Sequence, residues 1–224
     1  MYKPENKNKW DSLYDPAKIT WFAKLEEAAI NWYFAGAFGK TILSASGIKH
    51  GKICEPGCGS GMTCAQFAKQ GFDITLMDLS YNALQKALSV FEKFSITAKF
   101  TVADLFHIPI QDNQFDIVFN QGVMEHFKLA GLDPSQGISE MLRILKKNGT
   151  LIILVPAYFS PLFFVHRFFK LFNLIEKYWP YEDQEFLHKR ELYEMMSKGG
   201  CKNIVVRRVW SSLFFSMIGY CKKE

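Results

Sequence analysis

Apolar and polar positions follow two different periods along this chain. Short apolar stretches at residues 53–54, 73–79, 98–104, 115–121 and 150–155 are bounded by turn residues and read as buried strands. Between them the apolar positions recur every three or four residues, which predicts helices over 62–70, 81–94 and 135–147. The punctuation agrees. Gly71 stops the first helix, Ser80 is placed to cap the second, Pro134-Ser135 opens the third and Asn148-Gly149 ends it. Strand–helix alternation of this kind builds an α/β fold, a doubly wound parallel sheet. Further on, a helix over 190–198 ends at Gly199-Gly200, and alternating stretches over 203–210 and 213–222 flank a tight Ser211-Ser212 link. A link that short joins antiparallel neighbours. The expected sheet therefore has seven strands, mostly parallel, with an antiparallel last strand.

Two regions do not fit that alternation. Residues 1–9 are polar and read as weakly held, but aromatics then accumulate: Trp10, Tyr14, Trp21, Phe22, Trp32, Tyr33 and Phe34. From Ile19 the spacing predicts an amphipathic helix, and a second helical stretch over 41–48 ends at Gly47. Residues 1–48 are assigned as an N-terminal helical lid segment and 49–224 as the main domain. Within the latter, residues 156–188 exceed a short crossover. They contain a dense aromatic run with a helix over 162–174, His166, Arg167 and Lys170 on its polar side, and an ordered loop over 179–185. An aromatic helical insertion after strand five lies at the edge where open sheets bind ligands, so it is expected to act as a cap. At least two of Phe163, Phe164, Phe168, Phe169 and Phe172 are expected to line a cavity that also touches residues 121–126. Simple packing on the sheet or a dimer contact is the alternative.

Composition narrows the picture only slightly. The chain has 224 residues, long enough for one α/β domain with a small cap. A net charge of +5 comes from scattered lysines, so nucleic acid is not expected as a partner. Cysteines at 54, 58, 64, 201 and 221 have no zinc-pair spacing, so no metal site is expected, and reduced thiols fit a cytoplasmic protein. The N-terminus lacks the apolar core of a signal peptide, and no apolar run is long enough to span a membrane.

The chemistry concentrates in Glu55-Pro56-Gly57-Cys58-Gly59-Ser60-Gly61, where a strand ends in an acid and a glycine turn leads into a helix. Glycine suits a turn that needs positive φ or lies against a ligand. The dinucleotide fingerprint is G-x-G-x-x-G, but here Met62 holds the place of its last glycine, and the Glu55 carboxylate would repel a pyrophosphate. A ligand carrying positive charge suits it better. Asp78 lies at a strand end about 20 residues past the glycines, placed to accept from both hydroxyls of a ribose. Asp104-Leu105 ends the third strand, and Asn120-Gln121-Gly122-Val123-Met124-Glu125-His126 follows the fourth.

Acid-x-Gly-x-Gly-x-Gly, the two later acids and the Gly-Val-Met-Glu-His segment, in order over residues 52–157, resemble the motifs of class I S-adenosylmethionine-dependent methyltransferases of the small-molecule type. The resemblance implies a Rossmann-like domain with S-adenosyl-L-methionine as cofactor. It implies that Glu55 receives the cofactor's ammonium and that Gly57, Cys58, Gly59 and Gly61 line its methionine part. Asp78 would take the ribose, with Leu79 against the adenine. Asp104 and Leu105 would flank the adenine, and Asn120 and Gln121 would reach back to the methionine group. Because the sulfonium methyl is already activated, transfer chiefly needs an aligned acceptor in a dry site. Glu125 and His126 are the candidate bases, with local capping as their plainer role. Tyr14, Phe164, Phe168 and Glu185 are candidate acceptor contacts; Glu185 and His188 are weaker base candidates, and His166 is read as surface or cap packing.

The expected function is methyl transfer to a small, apolar or aromatic, acceptor. A protein acceptor is an alternative. So is a non-catalytic cofactor-binding or membrane-surface protein that uses the aromatic insertion for peripheral membrane or homodimer contact. Strand four ends Asn-Gln-Gly-Val rather than Asn/Asp-Pro-Pro-aromatic, which counts against amino methylation of nucleic acid.

Overall fold

The computed structural model describes residues 4–15, 35–175, 184–212 and 215–224. Seven strands form one sheet: β1 (Lys52–Pro56), β2 (Asp73–Asp78), β3 (Lys99–Val102), β4 (Phe115–Gln121), β5 (Leu145–Pro156), β6 (Val205–Arg208) and β7 (Ser216–Lys222). Their order is β3-β2-β1-β4-β5-β7-β6. The first five run parallel, whereas β7 pairs antiparallel with both β5 and β6. Strand order reverses between β1 and β4, and a crevice opens at such a switch point, beyond the carboxyl ends of the strands.

The pleat splits the apolar residues between two cores. Cys54, Met77, Val118, Leu151, Ile153 and Val155 face α5 (Pro134–Ile144) and α7 (Lys189–Lys198). Their neighbours Ile53, Ile74, Leu76, Ile117, Phe119, Ile152 and Leu154 face α2 (Ala35–Ser46), α3 (Met62–Ala68) and α4 (Tyr81–Lys93). Both faces are covered, so the central strands are apolar throughout rather than alternating. Local chemistry sets the boundaries. Ser80 caps α4 by accepting the Ala83 N–H at 3.1 Å, and Gly47 ends α2 at φ 68°.

Three expectations are corrected. The helix predicted over 135–147 stops at Ile144, because Leu145 leaves the helix to pair with Phe115 of β4, and Asp133 rather than Ser135 caps its start. Burial of Leu145 in the core outweighs the helical preference of the lysines that follow it. The N-terminal stretch forms a helix, α1 (Pro4–Leu13), rather than a loose tail. The last two strands are joined by a 3-10 turn, Trp210–Ser212, rather than a two-residue link. The amphipathic helix expected from Ile19 lies outside the described residues, as does most of the loop expected over 179–185. The insertion's helix is α6 (Pro161–Leu171), capped by Ser160 through the Phe163 N–H at 3.1 Å.

Gly219 of β7 lets α7 sit close to the sheet: an added Cβ would lie 2.5 Å from Met196 Sδ and 3.1 Å from Leu192 Cδ2. Gly219→Val is therefore expected to overpack this seam by about 1–3 kcal/mol and lower Tm by roughly 2–12 °C. A thermal melt followed by circular dichroism checks this, and an unchanged Tm would mean that α7 packs elsewhere.

Candidate active site

β1 ends against two neighbours, and its exit turn is fixed by both. The Gly57 and Cys58 N–H groups both donate to the Met77 carbonyl of β2, at 2.7 and 3.0 Å. The Gly59 N–H donates to Asp78 Oδ2 at 2.9 Å. From the other side, Asn120 Nδ2 donates to the Pro56 carbonyl at 2.7 Å. Two glycines are sterically required. Gly57 and Gly59 have φ of 74° and 52°. An added Cβ would meet Val123 Cγ2 at 2.6 Å in the first case and the Tyr14 hydroxyl at 2.5 Å in the second. The bare backbone thus forms the floor of a cavity of ≈ 270 Å³.

Three acids reach this cavity from successive strand ends. Glu55 is buried, and its Oε2 has no hydrogen-bond partner among the described residues. Burial pushes its pKa up from 4.5 to about 8; the Cys64 thiol hydrogen bond opposes this, and the Asp78 charge adds to it. Asp78 accepts the Gly59 N–H on one oxygen and the Ser80 N–H on the other, each at 2.9 Å. Its pKa is also raised, chiefly by burial, against the pull of the Ser80, Gly59 and Leu79 N–H groups. Asp104 closes a local turn by accepting the Phe106 N–H at 3.0 Å. Leu79 and Leu105 line the wall between the second and third acids, Leu105 backed by Gly137. Cys58 also lines the cavity, as a thiol kept protonated by burial and by the neighbouring Asp78 and Glu55 charges.

The other wall comes from β4 and the N-terminus. Gln121 lines it, held by the Thr63 hydroxyl donating to its Oε1 at 3.2 Å. The 3-10 turn Met124–His126 buries both Glu125 and His126 yet leaves them on the cavity. α1 closes over the top. Ser80 Oγ donates to Asp11 Oδ1 at 2.6 Å and Asn82 Nδ2 to the Asp11 carbonyl at 2.9 Å. So held, α1 sets the Trp10 ring edge-on to His126, centroids 5.0 Å apart, and puts Tyr14 on the cavity.

Most residues singled out in the sequence therefore converge: Glu55, Gly57, Cys58, Gly59, Asp78, Leu79, Asp104, Leu105, Gln121, Glu125, His126 and Tyr14 all line the cavity. Five do not. Asn120 is buried between β1 and β4, because adjacent strand residues point to opposite faces and Gln121 takes the cavity side. Gly61 caps α3 in a left-handed conformation, facing Leu76 and Ala87. Glu185 turns its carboxylate to Lys128 at 3.9 Å, while its neighbour Gln184 reaches the cavity. Phe164 and Phe168 are 56% and 53% exposed, and none of the five phenylalanines expected to form a lid lines the cavity. The insertion leaves β5 and returns through an Ala157–Leu187 bridge, and no residue of α6 lines the cavity. Val123, Thr63, Phe127 and Gln184 were not singled out. Val123 and Phe127 flank the recognised Glu125-His126 pair, but Thr63 and Gln184 carry no sequence signal.

The donor set fits a cationic nucleoside ligand. An unpartnered buried carboxylate oxygen lies above a glycine cradle that any side chain would fill, with a second acid at a strand end and apolar walls beyond it. Glu55 and the glycine turn would hold an aminoacyl end, Asp78 a ribose, and Leu79, Asp104 and Leu105 an adenine.

The comparisons with known proteins agree. The family model for the methyltransferase domain matches residues 54–153. An uncharacterized methyltransferase of Bacillus subtilis is 28% identical over 127 residues, 56% of this chain and 52% of that protein. The norajmaline N-methyltransferase of Rauvolfia serpentina is 26% identical over 151 residues, 66% of this chain and 50% of that protein. The chain spans about half the length of the curated relatives it matches. Among solved structures, the magnesium protoporphyrin IX methyltransferase of Synechocystis PCC 6803, with bound SAH, has a TM-score of 0.68 at 16% identity, covering 99% of this chain and 95% of that one. At that identity the likeness bears on the fold. The domain match over residues 54–153, the sheet order and the converging motif residues together make this chain similar to the class I S-adenosylmethionine-dependent methyltransferases.

Proposed function

We propose that the chain transfers a methyl group from S-adenosyl-L-methionine to a small acceptor with an apolar or aromatic part. The observation that carries this reading is the buried, half-satisfied Glu55 carboxylate on the glycine cradle. A carboxylate in that place favours an ammonium group, and burial strengthens the attraction by excluding water. Asp78 keeps lone pairs for a ribose diol after taking two backbone N–H groups.

The chemistry supplied by the bound cofactor is a methyl group already activated by sulfonium charge. The chain's own part is to hold, orient and dry. Trp10 and Tyr14, tied down through Asp11, cover the cavity and exclude water. Trp10, Val123 and Phe127 give the acceptor side an apolar wall beside His126. This wall supports an apolar acceptor in place of the insertion, whose phenylalanines lie elsewhere. His126 takes the proton that an O–H or N–H acceptor sheds, with Trp10 fixing its ring.

The raised Glu55 pKa gives this reading a pH signature. The folded value of about 8 lies above the ordinary 4.5, so between these limits the folded chain holds a proton that the unfolded chain has lost. Ligand-free stability is therefore expected to fall as pH rises from about 4.5 to about 8, and the difference between wild type and Glu55→Gln isolates that slope. Pairing with the ammonium ionises the group. Calorimetry at pH 7 in buffers of different ionisation heat should then show close to one proton released by Glu55 on S-adenosyl-L-methionine binding, with affinity rising toward pH 8. Glu55→Gln should abolish the release. Tight NAD binding with no adenosylmethionine signal would overturn the reading.

Asp78→Ala is expected to weaken the cofactor about tenfold or more by titration, since it removes hydrogen bonds to a charged acceptor.

His126→Ala is expected to lower kcat by roughly 10²–10⁴-fold with cofactor affinity unchanged. A drop in Tm with activity retained would make it a structural residue instead.

A further inference from the structure

We propose that α6 docks in the interfacial plane of an anionic lipid bilayer and holds the mouth of the cavity against it. The helix has no buried residue. Phe164, Phe168, Leu171 and Phe172 recur at the i, i+4, i+7, i+8 spacing of one helical face, and Val165 and Phe159 extend the same exposed surface, with Leu171 at 77% exposure. The opposite side is the anchored one. Phe163 packs on Tyr158 and Phe186, with centroids 4.4 and 5.6 Å apart, and His166 lies 5.2 Å from Phe186. A helix whose outward face is its aromatic one is not packed for water.

Charge selects the occupant. From residue 156 to residue 175 the sequence contains no carboxylate, while Arg167 borders the apolar face and Lys170 lies exposed on the helix's polar side. Arg208 adds a third cation at the helix start by donating to the Tyr158 carbonyl at 2.6 Å. An apolar face with basic neighbours and no acid fits a leaflet of anionic headgroups. It does not fit a second copy of this chain, because a two-fold contact would set the same cations against each other. No helix among the described residues is long and apolar enough to cross a membrane, which leaves an in-plane seat.

The seat is coupled to the site by backbone. Past the insertion, the Leu187 N–H donates to Pro156 at 3.1 Å, the Glu185 N–H donates to the Glu125 carbonyl at 3.3 Å, and Gln184 lines the cavity. A bilayer under α6 would thus lie beside the cavity's acceptor side, where an apolar acceptor could enter from the lipid phase. The docking itself does not rest on the methyl-transfer reading.

Flotation of the full chain tests it, using phosphatidylcholine vesicles with about one third phosphatidylglycerol against vesicles of phosphatidylcholine alone. Selective recovery with the anionic vesicles is expected, weakened by high salt. Phe164→Ser with Phe168→Ser should cut partitioning at least about tenfold. Arg167→Gln with Lys170→Gln should cut it on the order of tenfold. Both pairs are exposed, so the melting curve and calorimetric cofactor binding should match wild type; if the serine pair misfolds, the glutamine pair and the salt series decide. The proposal is overturned if the chain floats with neither vesicle or equally with both, or if the serine pair folds and floats like wild type. It is equally overturned if light scattering shows a wild-type dimer that the serine pair converts to monomer.

Discussion

The site depends on one backbone junction, the turn where β1 passes between β2 and β4. The Met77 carbonyl accepts two N–H groups from the turn, Asp78 accepts a third, and Asn120 holds the Pro56 carbonyl from the far side. These bonds set the turn's path, and the path demands glycine where Val123 and Tyr14 crowd in. Loss of any one bond would leave a buried polar group without its partner and move the Glu55 carboxylate with it.

Much of this was legible in the sequence because it follows from local rules. A strand, an acid and alternate glycines leading into a helix follow one local pattern, and Asp78 and Asp104 follow from the ends of β2 and β3. Less legible was what tertiary contact decides. Asn120 and Gln121 look equivalent as adjacent amides, but the pleat sends one into the interior and one to the cavity. Leu145 looks like the continuation of a helix, but pairing with Phe115 takes it into β5. Thr63 joins the site only because it meets Gln121 across the crevice.

The three acids explain why the fold tolerates an unfavourable arrangement. Glu55, Asp78 and Asp104 share one cavity, and among the described residues no lysine or arginine lines it. Burial raises the pKa values of Glu55 and Asp78, helped by the Asp78 charge at the first and the Asp11 charge at the second, the opposite of a stabilising ion pair. The surface carboxylates behave otherwise. Asp116 beside Lys146 and Glu140 beside Arg143 are held below the usual carboxylate range, the first despite some burial and the second mainly by its guanidinium bond. The contrast separates acids paired with a surface cation from the acids buried in the cavity wall.

The aromatic insertion bears on the same question from outside. Its density of phenylalanine required some apolar partner, and composition alone could not say whether that partner was the sheet, an acceptor or another surface. Packing answers by division of labour. Phe163 and His166 secure α6 to the limb that carries Phe186, and Phe164, Phe168 and Phe172 are exposed. The cavity is closed instead by α1, whose Asp11 is latched to the Ser80 that caps α4. Closure and outward display thus reside on separate elements, so α6 can rest against another surface without moving the groups that cover the site.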